Sequence, residues 1–247
     1  MPTHLFLSPH LDDAVFSCGA TMARLRERGD DVLMLTLFTG NVAQPTGFAL
    51  ECQTSKGIAP DADYMALRRE EDARAARELR VEFAHWPLLE APHRGYDSPA
   101  ELFAGEKPGD DVWRELAGRL RALAAFERVY CPQGLGNHVD HRQVIRAALA
   151  VFSLESLRFY RDTPYAIREP DARPASLLDF PTKGEATLFG DDALFQKVAA
   201  CCAYESQIGF QFGGAVEVAR KLTAFHSAEG EAVGSFAFAE RFLAPVT

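Results

Sequence analysis

Residues 4–29, HLFLSPHLDDAVFSCGATMARLRERG, begin as a strand and end as a helix. The apolar run HLFLS is of strand length, and Val15, Cys18, Met22 and Leu25 then recur at the three- and four-residue spacing of a helix that Gly29 can stop. Between the two stand His10, Asp12 and Asp13, three titratable groups placed where the chain leaves a core element. The alternation continues downstream. DVLMLTLFT (31–39) is the near-continuous apolar run expected of a parallel strand covered on both faces. Residues 40–60 lack a period and read as a long loop. Residues 61–80 read as an amphipathic helix with an i,i+4 pair in Glu70 and Arg74. VEFAHWPLL (81–89) is a third strand, 89–110 is irregular, and 111–126 is helical on Trp113, Leu116, Leu120 and Leu123. RVYCP (128–132) is a fourth strand, followed by QGLGNHVDH (133–141) and a helix over 142–152.

Repeated strand–helix units with right-handed crossovers select an α/β fold: a Rossmann-like, doubly wound, mostly parallel sheet with helices on both faces. Beyond residue 155, LRFYRDTPYAI (157–167) and EATLF (185–189) read as strands, and 192–207 and 215–225 as helices. The Phe-rich tail SFAFAERFL (235–243) reads as packing. No composition shift marks a linker, so residues 1–247 are expected to form a single domain.

The 247 residues are 47% hydrophobic and 25% charged, an ordinary globular balance. There is no apolar run of about 18 residues and no signal-type start, so no membrane span and a cytoplasmic location are expected. Five scattered cysteines without Cys-x-x-Cys spacing read mostly as buried thiols. A net charge of −9 argues against a nucleic-acid footprint and favours a small-molecule partner. A homo-oligomer is compatible with all of this.

In open parallel sheets, ligands bind outside the carboxyl ends of the strands. His10, Asp12 and Asp13 lie at the end of the first strand, and His138, Asp140 and His141 follow the fourth. Imidazole and carboxylate are donors that zinc accepts, and a catalytic zinc keeps three protein ligands and an open position. His10, Asp13 and His141 form such a set. Asp12 is then a carboxylate beside the ion, suited to take a proton from a water that the ion acidifies. His138, as imidazolium, suits an oxyanion or a leaving amine. Amide hydrolysis is the natural reaction class. Each cluster also has a plainer reading: the Asp pair as a helix N-cap, the histidines as loop and first-turn residues.

SPHLDDAVFSCG (8–19), followed distally by HVDH (138–141), resembles the LmbE-like, or PIG-L, family of zinc-dependent de-N-acetylases. The likeness extends to LRREEDARAARELRV (67–81) and KVAACCAYESQ (197–207), and departs from the family pattern at Leu11 and Ala14. The form with RDTPYA (161–166) is similar to a bacterial subgroup. The resemblance implies one Zn2+ per chain on His10, Asp13 and His141, other divalent metals fitting the same donors. It further implies Asp12 as general base, His138 at the tetrahedral intermediate, and an N-acetylglucosamine-containing or related N-acetyl sugar conjugate as substrate. Arg68 and Glu71 are carried over from the family pattern. Arg68, Arg94 and Tyr165 are candidate substrate-binding residues, with Tyr96, Asp162, Tyr204 and Gln207 as further candidates near the same edge. Two other readings stand beside this one. A phosphoesterase would want a second metal and more ligands. A non-catalytic sugar-binding module would share the Rossmann-like scaffold, although no Gly-x-Gly-x-x-Gly follows the first strand.

Overall fold

The structure, a computed structural model, describes residues 3–246. In chain order the elements are β1 (Thr3–Ser8), α1 (Asp13–Glu27), β2 (Asp31–Thr36), α2 (Gly47–Thr54), α3 (Tyr64–Leu79) and β3 (Glu82–His85). Then come α4 (Pro99–Phe103), α5 (Val112–Arg121), β4 (Arg128–Pro132), α6 (Val139–Val151), β5 (Leu157–Tyr160) and α7 (Tyr165–Arg168). The chain ends with β6 (Thr182–Phe189), α8 (Asp191–Cys202), α9 (Glu205–Phe212), α10 (Ala215–Glu231) and β7 (Phe238–Pro245). The strands form one seven-stranded sheet in the order β3-β2-β1-β4-β5-β7-β6. The first five are mutually parallel, while β7 runs antiparallel to both β5 and β6. The fold is the expected α/β doubly wound sheet with an antiparallel extension at one edge.

Alternation along β1 divides the core between the two faces of the sheet. Phe6 packs with Val15, Cys18 and Met22 of α1, Leu79 of α3 and Leu222 of α10. Leu5 and Leu7 pack on the opposite face with Leu116 and Leu120 of α5 and Val144 and Ile145 of α6. Strand order reverses between β1 and β4, so that gap is the topological switch point, where an α/β sheet offers a crevice.

Five stretches differ from the sequence reading. Residues 40–60 contain α2, and 89–110 contain α4, short helices that pack against loops rather than the sheet and so lack a full apolar stripe. The strand at 157 stops at Tyr160, and Pro164, without an N–H, is poorly suited to a ladder reaching residue 167. Residues 192–207 divide into α8 and α9 at Ala203–Tyr204. The tail is more than packing: Ala239, Phe242 and Ala244 are buried along β7, which joins β6 to the rest of the sheet.

A buried ion pair ties β7 to α1 and α8. Lys197 Nζ donates to Glu240 Oε1 at 2.7 Å, and the Glu240 carboxylate also accepts the N–H groups of Ala20 and Thr21. A Cβ on Gly19 would stand 3.0 Å from Lys197 Cγ, which explains the glycine inside α1. Cys18, Cys131 and Cys201 are buried free thiols, and Cys52 and Cys202 are half-buried. Among the described residues no helix is long and apolar enough to cross a membrane.

Candidate active site

The β1–α1 turn is closed by its own hydrogen bonds. Ser8 Oγ donates to the His10 carbonyl at 2.6 Å and accepts the Ala14 N–H at 3.0 Å, and the Asp12 N–H reaches the same carbonyl at 2.9 Å. Asp12 occupies the N-cap position of α1 yet its side chain makes no capping bond. The plain N-cap reading therefore fails for Asp12. After β4, Gly134 and Gly136 take φ of 72° and 80°, values that favour glycine, and deliver His138 to the start of α6. A Cβ at Gly136 would sit 2.8 Å from Tyr165 Cδ1, so this glycine also admits the Tyr165 ring.

The two clusters meet at the switch point. Asp13 Oδ2 is 3.0 Å from His10 Nδ1 and 3.3 Å from His141 Nε2. His10, Asp13 and His141 present ligand atoms that all lie within 4.8 Å of one another. The far nitrogen of each ring is held by a buried carboxylate: His10 Nε2 by Asp140 Oδ2 at 2.9 Å, and His141 Nδ1 by Asp162 Oδ1 at 2.6 Å. That outer pairing fixes tautomer and ring orientation in metal-binding histidines. His141 Nε2 is buried without a hydrogen-bond partner, an orphan donor atom aimed into the group. These residues fit a divalent ion. A second grouping, His10, His138 and Asp140, fits less well, because Asp140 already binds His10, the Ala91 N–H at 3.0 Å and Arg94 at 2.8 Å.

Charge follows from this crowding. Burial opposes a charge on His10 and His141, but the carboxylates bonded to them outweigh it. Asp13 and Asp140 raise His10 well above its usual value, and Asp13 and Asp162 raise His141 to about 9. The opposite holds for Asp13, where burial yields to His141 and His10 and the carboxyl is held well below its usual range. Asp12 receives no such hydrogen bond from a histidine. Burial and then the Asp13 charge push it up to about 7, Arg68 at 3.9 Å only partly offsetting them. Burial and then the neighbouring His10 charge lower His138 to about 3. Its Nδ1 accepts the Asp140 N–H at 3.2 Å, so the ring proton sits on Nε2. In the neutral ring this leaves Nε2–H as the donor.

His10, Asp12, Asp13 and His138 form the floor of a cavity of about 410 Å³, with His141 buried beneath them, and Arg68, Glu90 and Tyr165 also line it. Arg68 is held by Glu90 Oε1 at 2.6 Å and lies over the Tyr64 ring at 5.4 Å. Gln207, another cavity residue, donates to Tyr64 Oη at 2.9 Å. Glu71, carried over from the family pattern, stands behind Arg68 and binds the Ser206 hydroxyl at 2.6 Å.

Arg94 corrects an expectation: it does not line the cavity. Its guanidinium is taken up by Asp140 at 2.8 Å, Asp110 at 2.9 Å and the Leu89 carbonyl at 2.7 Å, over the face of Phe38. Tyr96 lies behind it with its hydroxyl on Asp110. Tyr204 binds Asp72, also away from the cavity. Sequence reasoning left Asp140 without a role and missed Glu90; both follow strand ends, which was the available signal.

Comparison with known proteins gives the family of the chain. The sequence model described as GlcNAc-PI de-N-acetylase, PIG-L, matches residues 5–152, more than half of the chain. The chain is 28% identical over 183 residues to 2'-N-acetylparomamine deacetylase of Niallia circulans, an alignment covering 65% of this chain and 66% of that protein. It is 34% identical over 170 residues to the enzyme of the same description from Streptomyces fradiae, covering 66% of this chain and 57% of that one. The chain thus spans just under two thirds, or less, of the length of these curated relatives. Among solved structures, the zinc-inhibited form of teicoplanin deacetylase Orf2 superposes with a TM-score of 0.83 at 26% identity, covering 99% of this chain and 98% of that one. On the match across residues 5–152, the chain belongs to the PIG-L family of GlcNAc-PI de-N-acetylases.

Proposed function

We propose that residues 1–247 act as one hydrolytic domain that removes the N-acetyl group from an N-acetylglucosamine-type sugar conjugate. One zinc ion serves as cofactor. The observation that carries this reading is the buried group His10 Nδ1, Asp13 Oδ2 and His141 Nε2, with Asp12 adjacent but uncommitted to it. The deacetylases of N-acetylparomamine and teicoplanin among the similar proteins support the reaction class.

A divalent ion held by His10, Asp13 and His141 supplies Lewis acidity and lowers the pKa of water. The chain's own residues do the rest. Asp12, buried and pushed up to about 7, is suited to accept the proton that attack on the amide releases. His138, its proton on Nε2, donates a hydrogen bond to the carbonyl oxygen as negative charge grows there. Arg68, held by Glu90, fixes the orientation of Asp12 and presents a charged edge to sugar hydroxyls. The proton on Asp12 then passes to the departing nitrogen, releasing acetate and a free amine.

A two-metal phosphoesterase is disfavoured because the second grouping shares His10 with the first and its Asp140 is already engaged, Oδ2 by hydrogen bonds and Oδ1 in an ion pair with Arg94. Acetate release from N-acetyl sugars by the zinc-loaded protein tests the proposal. Wild type should release acetate, and Asp12→Asn should lose about 100- to 10,000-fold in kcat while zinc stays bound. Unchanged turnover in Asp12→Asn contradicts it.

A further inference from the structure

We infer that the outer half of the cavity seats an uncharged, apolar aglycone, aromatic or alkyl, attached to the sugar that the floor receives. The inference rests on the deacetylase reading of that floor. At about 410 Å³ the cavity is in the range that holds a drug-sized ligand, roughly 300–1,000 Å³, and has room beyond one sugar ring. The lining carries polar side chains around His10, Asp12 and Asp13, and Glu51, Ser55 and Lys56 add a few more. The larger share is apolar, with Phe48 from α2, Pro99, Leu102 and Phe103 from α4, and Phe210 from α9. Phe103 links the two zones: its ring stands edge-on to His138 at 5.4 Å and to Tyr165 at 6.2 Å. Phe210 is 62% exposed and Phe103 37%, so a ligand that covers them removes apolar surface from water.

The charges around this wall argue against the two polar alternatives. A phosphate-bearing aglycone needs a free cation, and neither neighbour is free. Arg68 is held by Glu90 and Asp12. Lys56 donates to the Cys52 carbonyl at 2.8 Å and lies over the rings of Tyr64 and Phe210 at 5.3 and 5.6 Å. Glu51 and Glu90 line the same cavity and repel an anion. A polycationic aglycone finds no free carboxylate either, because Glu90 is neutralised by Arg68 and Glu51 shares the lining with the Lys56 ammonium. What Lys56 does offer is a stem and two flanking rings, which suit an apolar group.

The test compares acetate release by the zinc-loaded protein from five compounds. These are free N-acetylglucosamine, its phenyl and octyl β-glycosides, N-acetylglucosamine 1-phosphate and 2'-N-acetylparomamine. The inference expects kcat/KM for the phenyl or octyl glycoside to exceed that of the free sugar by about tenfold or more. Phe210→Ser, and separately Phe103→Ser, should each shrink that ratio severalfold. The stronger of the two glycosides then tells whether the occupant is aromatic or alkyl. Preference for the phosphate or for the paromamine compound, or equal rates throughout, overturns it. Calorimetric binding to zinc-loaded Asp12→Asn separates the two claims. Tighter binding of the apolar glycosides without acetate release from any compound upholds the subsite and defeats the deacetylase reading. Acetate release with no apolar preference in rate or binding does the reverse.

Discussion

Arg94 Nη1 lies 2.8 Å from Asp140 Oδ1, inside the protein, behind the cavity rather than in it. The other oxygen of Asp140 holds His10 Nε2, so Arg94 keeps ionised the carboxylate that orients the His10 ring. Burial alone would raise Asp140, but Arg94 and His10 outweigh it and hold its pKa far below normal. Arg94→Met is expected to weaken zinc affinity about 10- to 100-fold, measured by chelator competition. Arg94→Lys should recover part of the loss, since it restores charge without the fork that also reaches Asp110.

Zinc uptake should release protons. His141 is raised to about 9 and His10 is raised as well, so at pH 7 both carry protons that a metal must displace. The direction is fixed: affinity falls as pH falls below about 9, because the competing protons bind more firmly. Calorimetry in two buffers of different ionisation enthalpy checks it, and no net proton release at pH 7 would count against the assigned ligands.

The acid limb of the pH–rate profile should belong to Asp12. The carboxylate form accepts the proton, so kcat/KM rises with pH through the Asp12 pKa, which stands at about 7 and moves lower beside a bound cation. An acid limb centred at or below 7 is expected, and it should vanish from the residual activity of Asp12→Asn.

Lys197→Met should destabilise the fold by about 3–5 kcal/mol in urea titrations, because it leaves the buried Glu240 charge uncompensated. Adding Glu240→Gln should recover part of that loss. The two effects together separate a charge penalty from a packing defect.

The meeting of His10, Asp13 and His141 was legible in sequence because it follows from strand ends. Once HLFLS and RVYCP are parallel neighbours, His10, Asp13 and His141 emerge at one edge whatever the loops do. Partner choice was not legible. Arg94 stands at the correct edge, but only the fold shows that Asp110 and Asp140 take both ends of its guanidinium. Asp162 was within reach of the strand-end rule, and its role against His141 was obscured by reading β5 on to residue 167. The apolar wall was hidden for a different reason. Phe48 and Phe103 sit on α2 and α4, helices of 8 and 5 residues, too short to carry a period that sequence can show. Glu240 lay in the Phe-rich tail, and nothing local marks it as the partner of a lysine on α8.

The central claim is that His10, Asp13 and His141 share one divalent ion. Anomalous scattering at the zinc edge, from crystals grown with zinc, tests it most directly. A single peak per chain is expected at about 2.0–2.2 Å from His10 Nδ1, Asp13 Oδ2 and His141 Nε2. A peak held instead by His138 and Asp140, or two peaks within about 4 Å of each other as in two-metal hydrolases, contradicts it.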